Sequence, residues 1–197
     1  PETVLLFEDL EVPENMVLMP PSGVKRGFAD LMNAYNSQRV GAGTVALGLA
    51  VGAYRNALEF AKEREQFGRP IAEFQGLQWM LADMSVQIEA ARSLLHKAAL
   101  SAGQNGSPFP DPTLAAQGKI FTSEMALRVT NDALQMFGAR GYSRNYPMER
   151  LARDARMFTI GGGTAQILRT VVASRILEMK LPQTREGFLQ MAEREAS

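Results

Sequence analysis

Three consecutive glycines stand in Ile160-Gly161-Gly162-Gly163-Thr164-Ala165-Gln166-Ile167, directly before a threonine and a helical pattern. Glycines there allow a backbone to approach a ligand closely, and the new helix would offer it free N–H groups. The plainer reading is a flexible turn with Thr164 as N-cap, and this is the commoner arrangement. A second group is Arg64-Glu65-Gln66-Phe67-Gly68-Arg69, where two cations bracket an amide and an aromatic ring. Such a set could hold a diphosphate through Arg64 and lay Phe67 against a purine. On chemistry alone, compensation of a helix C-terminus with Phe67 in the core is favoured. Gln135-Met136-Phe137-Gly138-Ala139-Arg140-Gly141-Tyr142 alone reads as an ordinary helix end, and the alternating charges of residues 149–156 as a solvated face. Gly41-Ala42-Gly43-Thr44-Val45-Ala46 matches a loose dinucleotide-binding pattern, but no strand precedes it and its glycines sit inside a helical run. Helix packing is the better reading. His96 is the single histidine and is assigned a structural role.

The elements that must position these groups are mostly helices. Residues 4–13 are short, partly alternating and end at Pro13, so a strand or extended segment is expected, followed by a linker over residues 19–23. A long helix is expected over residues 28–65, closed by Gly68 as C-cap and Pro70 beyond it. Its recurring glycines and alanines predict close approach of neighbouring helices. Leu77, Met80, Leu81, Met84, Ile88, Ala91 and Leu95 recur at three- and four-residue steps and predict a second helix over 72–102. A Gly- and Pro-rich loop separates it from a third helix over 113–137. A helical turn near 148–156, a helix over 164–180 and a short one over 185–195 complete an antiparallel all-α bundle.

Composition narrows the chemistry further. The 197 residues are 46% hydrophobic and 21% charged, enough for a core. Formal net charge is zero, which gives no global attraction to nucleic acid or to an anionic membrane. With no cysteine, disulfides, thiolate metal sites and thiol nucleophiles are excluded, and no metal-ligand cluster stands out. No apolar run is long enough to span a bilayer. The chain begins at Pro1 in what reads as mid-domain sequence, so a fragment or processed product is expected.

The order of these pieces resembles the acyl-CoA dehydrogenase family over about residues 4–180. The matching segments are 7–15, 38–39, 64–68, 74–75, 81–84, 135–142, 147–154 and 163–166. Each is weak singly, and in register they are specific. The resemblance implies two parts: residues 1–24 as the end of a central β-domain and linker, and residues 25–197 as a C-terminal helical domain that binds FAD and drives oligomerisation. It implies FAD contacts for Arg64, Gln66, Phe67, Gln75, Gln135, Gly138, Thr164 and Gln166, the diphosphate being that of a neighbouring subunit. It places Asn36, Gln38, Arg39 and Gly163 near an acyl-CoA. It further implies a homotetramer built as a dimer of dimers, an electron-transferring flavoprotein as a candidate partner, and, for a bacterial source, a cytoplasmic location.

The family reaction takes an α-proton with a carboxylate while a β-hydride leaves to the flavin. The two positions that hold this base in the family match Gly162 and Gln38, and neither side chain can accept the proton. A dehydrogenase acting on a short-chain acyl-CoA then needs a base from elsewhere. The alternative is the family's 3-sulfinopropionyl-CoA desulfinase branch, which lacks the glutamate, carries a glutamine resembling Gln38, and releases sulfite by cleaving a C–S bond. Its substrate bears a second anion, for which Arg39 is the candidate in this chain. A third reading is a non-catalytic subunit that completes a partner's flavin site.

Overall fold

The computed structural model describes residues 3–20, 23–182 and 185–195. Seven α-helices make up the described fold: α1 (Gly27–Glu63), α2 (Gln75–Leu100), α3 (Pro112–Phe137), α4 (Ala139–Tyr142), α5 (Met148–Met157), α6 (Ala165–Ile176) and α7 (Arg185–Glu195). Between α1 and α2 lie two very short strands, β1 (Glu65–Gln66) and β2 (Arg69–Pro70). The all-α expectation holds, and so does the helical tail.

Helix α3 is the central post, packing against α1, α2, α4, α5 and α6. It can do so because it is apolar or small on more than one side: Ala115, Ala116, Met125, Ala126, Val129 and Ala133 are all buried. Asp111 starts it, accepting from the backbone N–H groups of Thr113 and Leu114 at 2.9 Å each, with Pro112 at the first helical position. The small residues of α1 serve close packing, as expected. Ala46, Ala50, Ala53, Ala57 and Ala61 are fully buried along one stripe. A Cβ added at Gly43 would stand 2.7 Å from a Leu95 methyl, so this glycine belongs to the α1–α2 contact and not to a nucleotide site.

Two expectations are corrected, the first in part. Of the strand or extended segment expected over residues 4–13, the strand does not form; the segment carries no regular element, and a 3-10 turn follows it at Glu14–Met16. Strand hydrogen bonds need a neighbouring strand, and none among the described residues pairs with it. Its apolar side chains stay exposed, Leu6 at 84% and Phe7 at 71%. The linker's Pro21 and Ser22 fall outside the described residues. The second correction concerns Gly68. Helix α1 ends at Glu63, where Arg64 turns extended with ψ 122°. Phe67 and Gly68 instead form the two-residue turn of a hairpin, at φ 52° and 75°, pairing Glu65 with Pro70 and Gln66 with Arg69. Positive φ at both turn positions is what a tight antiparallel hairpin requires.

Candidate functional site

The residues singled out from the sequence gather at two places. At the first, Arg64, Gln66 and Gly138 line one concavity of about 360 Å³ together with Phe60, Ile71, Met136, Phe137, Ala139 and Arg140. Its floor is firm: Phe60 stacks on Phe137 with ring centroids 4.1 Å apart, and Tyr146 meets Phe137 edge-on at 5.8 Å. Gly138 ends α3 at φ 57° and lets the chain turn straight into α4. Among the described residues neither Arg64 nor Arg140 pairs with a carboxylate. Two guanidinium groups with free donors on an aromatic floor fit an anionic, phosphate-bearing ligand.

Phe67 projects from the hairpin beside this concavity's Gln66 and is 92% exposed. A bulky side chain in the left-handed region costs on the order of 1–3 kcal/mol. The ring meets Phe74 edge-on at 6.2 Å, and the Arg69 guanidinium lies 4.2 Å from the Phe74 ring. The core placement first favoured for Phe67 is thus wrong: the hairpin holds the ring out. Gln75, at the start of α2, and Gln135, in the last turn of α3, are exposed and do not line the concavity.

The second place lies where the glycine triplet meets α1 and α3. Gly162 and Gly163 take φ of 71° and 91°, and Thr164 caps α6 by accepting from Ile167 N–H at 3.2 Å. Gln166 is exposed on the first turn of α6. A Cβ at Gly162 would stand 3.0 Å from Gln38 Oε1. Gly162 and Gln38, the two residues expected from the resemblance at base positions, therefore face each other, and the side chain between them is an amide.

Behind this pair are two cations. Arg39 donates through Nη1 to Asn36 Oδ1 at 2.7 Å. Asn36 is only 2% exposed, so it holds Arg39 and presents little surface of its own. Arg39 Nε is buried and has no acceptor; leaving such a donor unpaired costs about 1–3 kcal/mol. Lys119, on α3, is fully buried and donates through Nζ to the Gly163 carbonyl at 2.7 Å. Burial, and next the nearby Arg39 charge, lower its pKa to about 8. Burial likewise lowers Arg39, with Tyr35 opposing. Among the described residues neither cation has a carboxylate partner.

Lys119 and Arg140 escaped the sequence reading. Lys119 left a signal, since it sits at a core register of α3 among Ala115, Ala116, Thr122 and Ser123, where a solvated lysine has no place. Arg140 left none, because a helix end followed by arginine is commonplace. A further concavity of about 890 Å³ is lined by residues of α6, its C-terminal extension and α7, and includes none of the residues designated from sequence. Among the described residues no metal-binding cluster occurs and no helix is long and apolar enough to cross a membrane.

The helical bundle, its cationic cleft and its glycine loop define a helical domain suited to a phosphate-bearing ligand. Residues 25–177 match the acyl-CoA dehydrogenase C-terminal domain, and the chain belongs to that family of enzymes. It is 67% identical over 189 residues to a 3-sulfinopropanoyl-CoA desulfinase of Cupriavidus necator, covering 96% of this chain and 47% of that protein. It is 42% identical over 175 residues to a short-chain-specific acyl-CoA dehydrogenase of Clostridium acetobutylicum, covering 88% of this chain and 44% of the relative. Among solved structures, butyryl-CoA dehydrogenase from Megasphaera elsdenii superposes with a TM-score of 0.73 at 42% identity, over 77% of this chain and 39% of that one. The chain thus spans about half the length of the curated relatives it matches.

Proposed function

We propose that this chain is the C-terminal half of a flavin-dependent acyl-CoA enzyme that cleaves the C–S bond of 3-sulfinopropanoyl-CoA. The short-chain dehydrogenase reading takes second place. The observation that carries this is Gly162 facing Gln38: no group there can take an α-proton. The identity to the Cupriavidus desulfinase supports it. Cleavage with water gives propanoyl-CoA and hydrogen sulfite. The C–S bond breaks, a proton goes to the β-carbon, a hydroxyl oxygen joins sulfur, and no electrons are left over. Such a reaction needs no external electron acceptor, so an electron-transferring flavoprotein belongs only to the dehydrogenase reading.

In this reading residues 1–24 close a central β-domain, and residues 25–197 form the FAD-binding and oligomerising part of a homotetramer with a cytoplasmic location. Arg64 and Gln66 hold the FAD diphosphate, with Gln135 and Gly138 at its adenosine end and Phe67 against the adenine. Gln75, Thr164 and Gln166 adjoin the flavin. The fit rests on Arg64, which lines the concavity floored by Phe60 and Phe137, together with the Arg140 guanidinium 5.8 Å from the Phe60 ring. FAD, when bound, would supply an electron-poor ring. Gln38 offers an N–H donor and a carbonyl acceptor, which orient water or substrate oxygen without a change of charge. Glycine at 162 and 163 leaves the backbone bare for the thioester.

The test uses the full-length flavoprotein. Incubated with 3-sulfinopropanoyl-CoA, it is expected to release sulfite in step with propanoyl-CoA. Mixed anaerobically with butyryl-CoA, it is expected to keep its oxidised flavin band. Bleaching of that band without sulfite release would return the dehydrogenase reading, with a base outside this chain. Neither signal would favour a non-catalytic subunit.

A further inference from the structure

We infer that Lys119 is a positioning residue for the proposed C–S cleavage: through its bond to the Gly163 carbonyl it holds the glycine loop in the shape that sets Gly162 against Gln38. The inference rests on that reading of the site and adds a residue to it. The loop needs a hold from outside. Residues 161–163 have no side chains to pack, and glycine loses more backbone freedom on ordering than any other residue. Gly162 and Gly163 stand at φ 71° and 91°. At its entry the loop is tied by the Gly161 N–H, which donates to the Met157 carbonyl at 2.8 Å. At its exit the Ala165 N–H donates to the Thr159 carbonyl at 3.0 Å. Between these ties the described residues provide one bond, from Lys119 Nζ to the Gly163 carbonyl at 2.7 Å. It joins the loop to α3, the central post, across 44 positions of sequence. A trans peptide sets its C=O and N–H on opposite sides, so the same bond turns the Thr164 N–H away from α3.

Stability alone does not call for a lysine at this place. The side chain is fully buried at a core register with Ala115, Ala116, Thr122 and Ser123. Arg39 lies near it with the same charge, and no carboxylate among the described residues pairs with it. One bond to a neutral carbonyl does not offset the removal of an ammonium from water, and an apolar side chain of like volume is often as stable or more so. What the ammonium does that an apolar residue cannot is hold the Gly163 carbonyl. The hold weakens as pH rises through about 8, where Nζ loses its charge: a neutral amine donates roughly half as strongly. On the elements around it, α1 brings Arg39, with Tyr35 one turn before, and α6 brings Arg169, engaged by Glu124 at 2.7 Å. On the α2 side, Leu95 and Ala98 meet the neighbouring Gly118. Of the charged groups, Arg39 is the one that acts on Lys119.

The experiment compares the full-length flavoprotein with its Lys119→Met, Lys119→Gln and Lys119→Arg variants. It reads sulfite release from 3-sulfinopropanoyl-CoA, unfolding temperature with flavin content, and amide hydrogen exchange over residues 159–166. Below pH 8, Lys119→Met is expected to keep its flavin and to unfold at the wild-type temperature or above it. Its kcat is expected to fall at least about tenfold while KM rises no more than about threefold. Its loop amides are expected to exchange at least about tenfold faster, with those of α3 unchanged. Lys119→Arg, a charged donor, is expected to restore part of kcat, and Lys119→Gln, a neutral one, less. Wild-type kcat is expected to decline as pH rises through about 8, and that of Lys119→Met to show no such step. A folded, flavin-bearing Lys119→Met with wild-type kcat overturns the inference and leaves the proposed reaction intact. Wild-type loop exchange in that variant overturns it too. If Lys119→Met and Lys119→Gln both unfold, Lys119 is a structural residue and the inference falls. If the wild type releases no sulfite, the proposed reaction falls, and loop exchange in Lys119→Met alone decides the hold on Gly163.

Discussion

Lys119 has two pH dependences of opposite sign. Its pKa falls from the ordinary 10.5 to about 8. Below pH 8 the ammonium is charged in both the folded and the unfolded chain, and its desolvation opposes folding in full. Between about 8 and 10.5 the folded chain has lost this proton while the unfolded chain still holds it. The unfolded state then binds more protons, so the stability owed to this residue rises with pH through that window, by at most about 3 kcal/mol. The difference in unfolding free energy between wild type and Lys119→Met, followed across the window, is expected to show this rise. Affinity for an anionic acyl-CoA is expected to fall over the same window. The other groups facing Lys119 and Arg39 are each other and Tyr35. Arg64 gives a simpler prediction. Arg64→Ala removes a charge-assisted contact and is expected to weaken FAD retention roughly tenfold or more, as read from flavin content after dialysis. Unchanged flavin content would remove Arg64 from the cofactor site.

Gly141 fixes the junction of α3 and α4 by its smallness. A Cβ there would stand 2.5 Å from the Leu134 carbonyl oxygen and 2.9 Å from Phe137 Cβ. Backbone cannot swing aside as a side-chain tip can, so Gly141→Ala is expected to destabilise the fold by about 1–3 kcal/mol. Chemical denaturation measures this, and a loss below about 0.5 kcal/mol would show that the junction yields. The helices themselves were legible. In α2 the apolar residues recur every three or four positions, and Met84, Ile88, Ala91 and Leu95 are indeed buried, as is Ala98. The hairpin between α1 and α2 was not, because Phe67 is no turn former and its left-handed backbone is set by tertiary context. Of the strand or extended segment expected over 4–13, the strand is not formed for a related reason: alternation shows what a segment can pair with, not whether a partner is at hand. Of the site, the glycine loop, Arg39 and Gln38 could be read from the chain. Lys119 showed only as a lysine at a core register of α3 and Arg140 not at all, since only folding brings α3 under Gly163 and sets Arg140 in one concavity with Arg64.

At the scale of the whole molecule, parts of the outer faces are apolar. Leu94 of α2, Ile120 and Phe121 of α3, and Val172 and Ile176 of α6 line a groove of about 490 Å³ together with Gln117 and the Glu124–Arg169 ion pair, while Trp79 and Val86 are 63% and 68% exposed on α2. Apolar surface of this kind marks an interaction face. The full-length protein is therefore expected to sediment as a tetramer, and Phe121→Glu with Ile176→Glu to shift it towards smaller species; a tetramer that persists would place the interface elsewhere. The confrontation of Gly162 with Gln38 also bears on how such an enzyme can change over time. At φ 71°, with a Gln38 oxygen 3.0 Å from any new Cβ, Gly162→Glu alone sets a bulky residue in a conformation that glycine tolerates and others do not. Expected flavin bleaching by butyryl-CoA is slight in that single variant and greater once Gln38→Ala makes room. A lineage that has reached this pair regains a carboxylate at position 162 only against the backbone, whereas at position 38, on a regular helix, one substitution to glutamate meets no such barrier: the way back to proton-abstracting chemistry runs through Gln38.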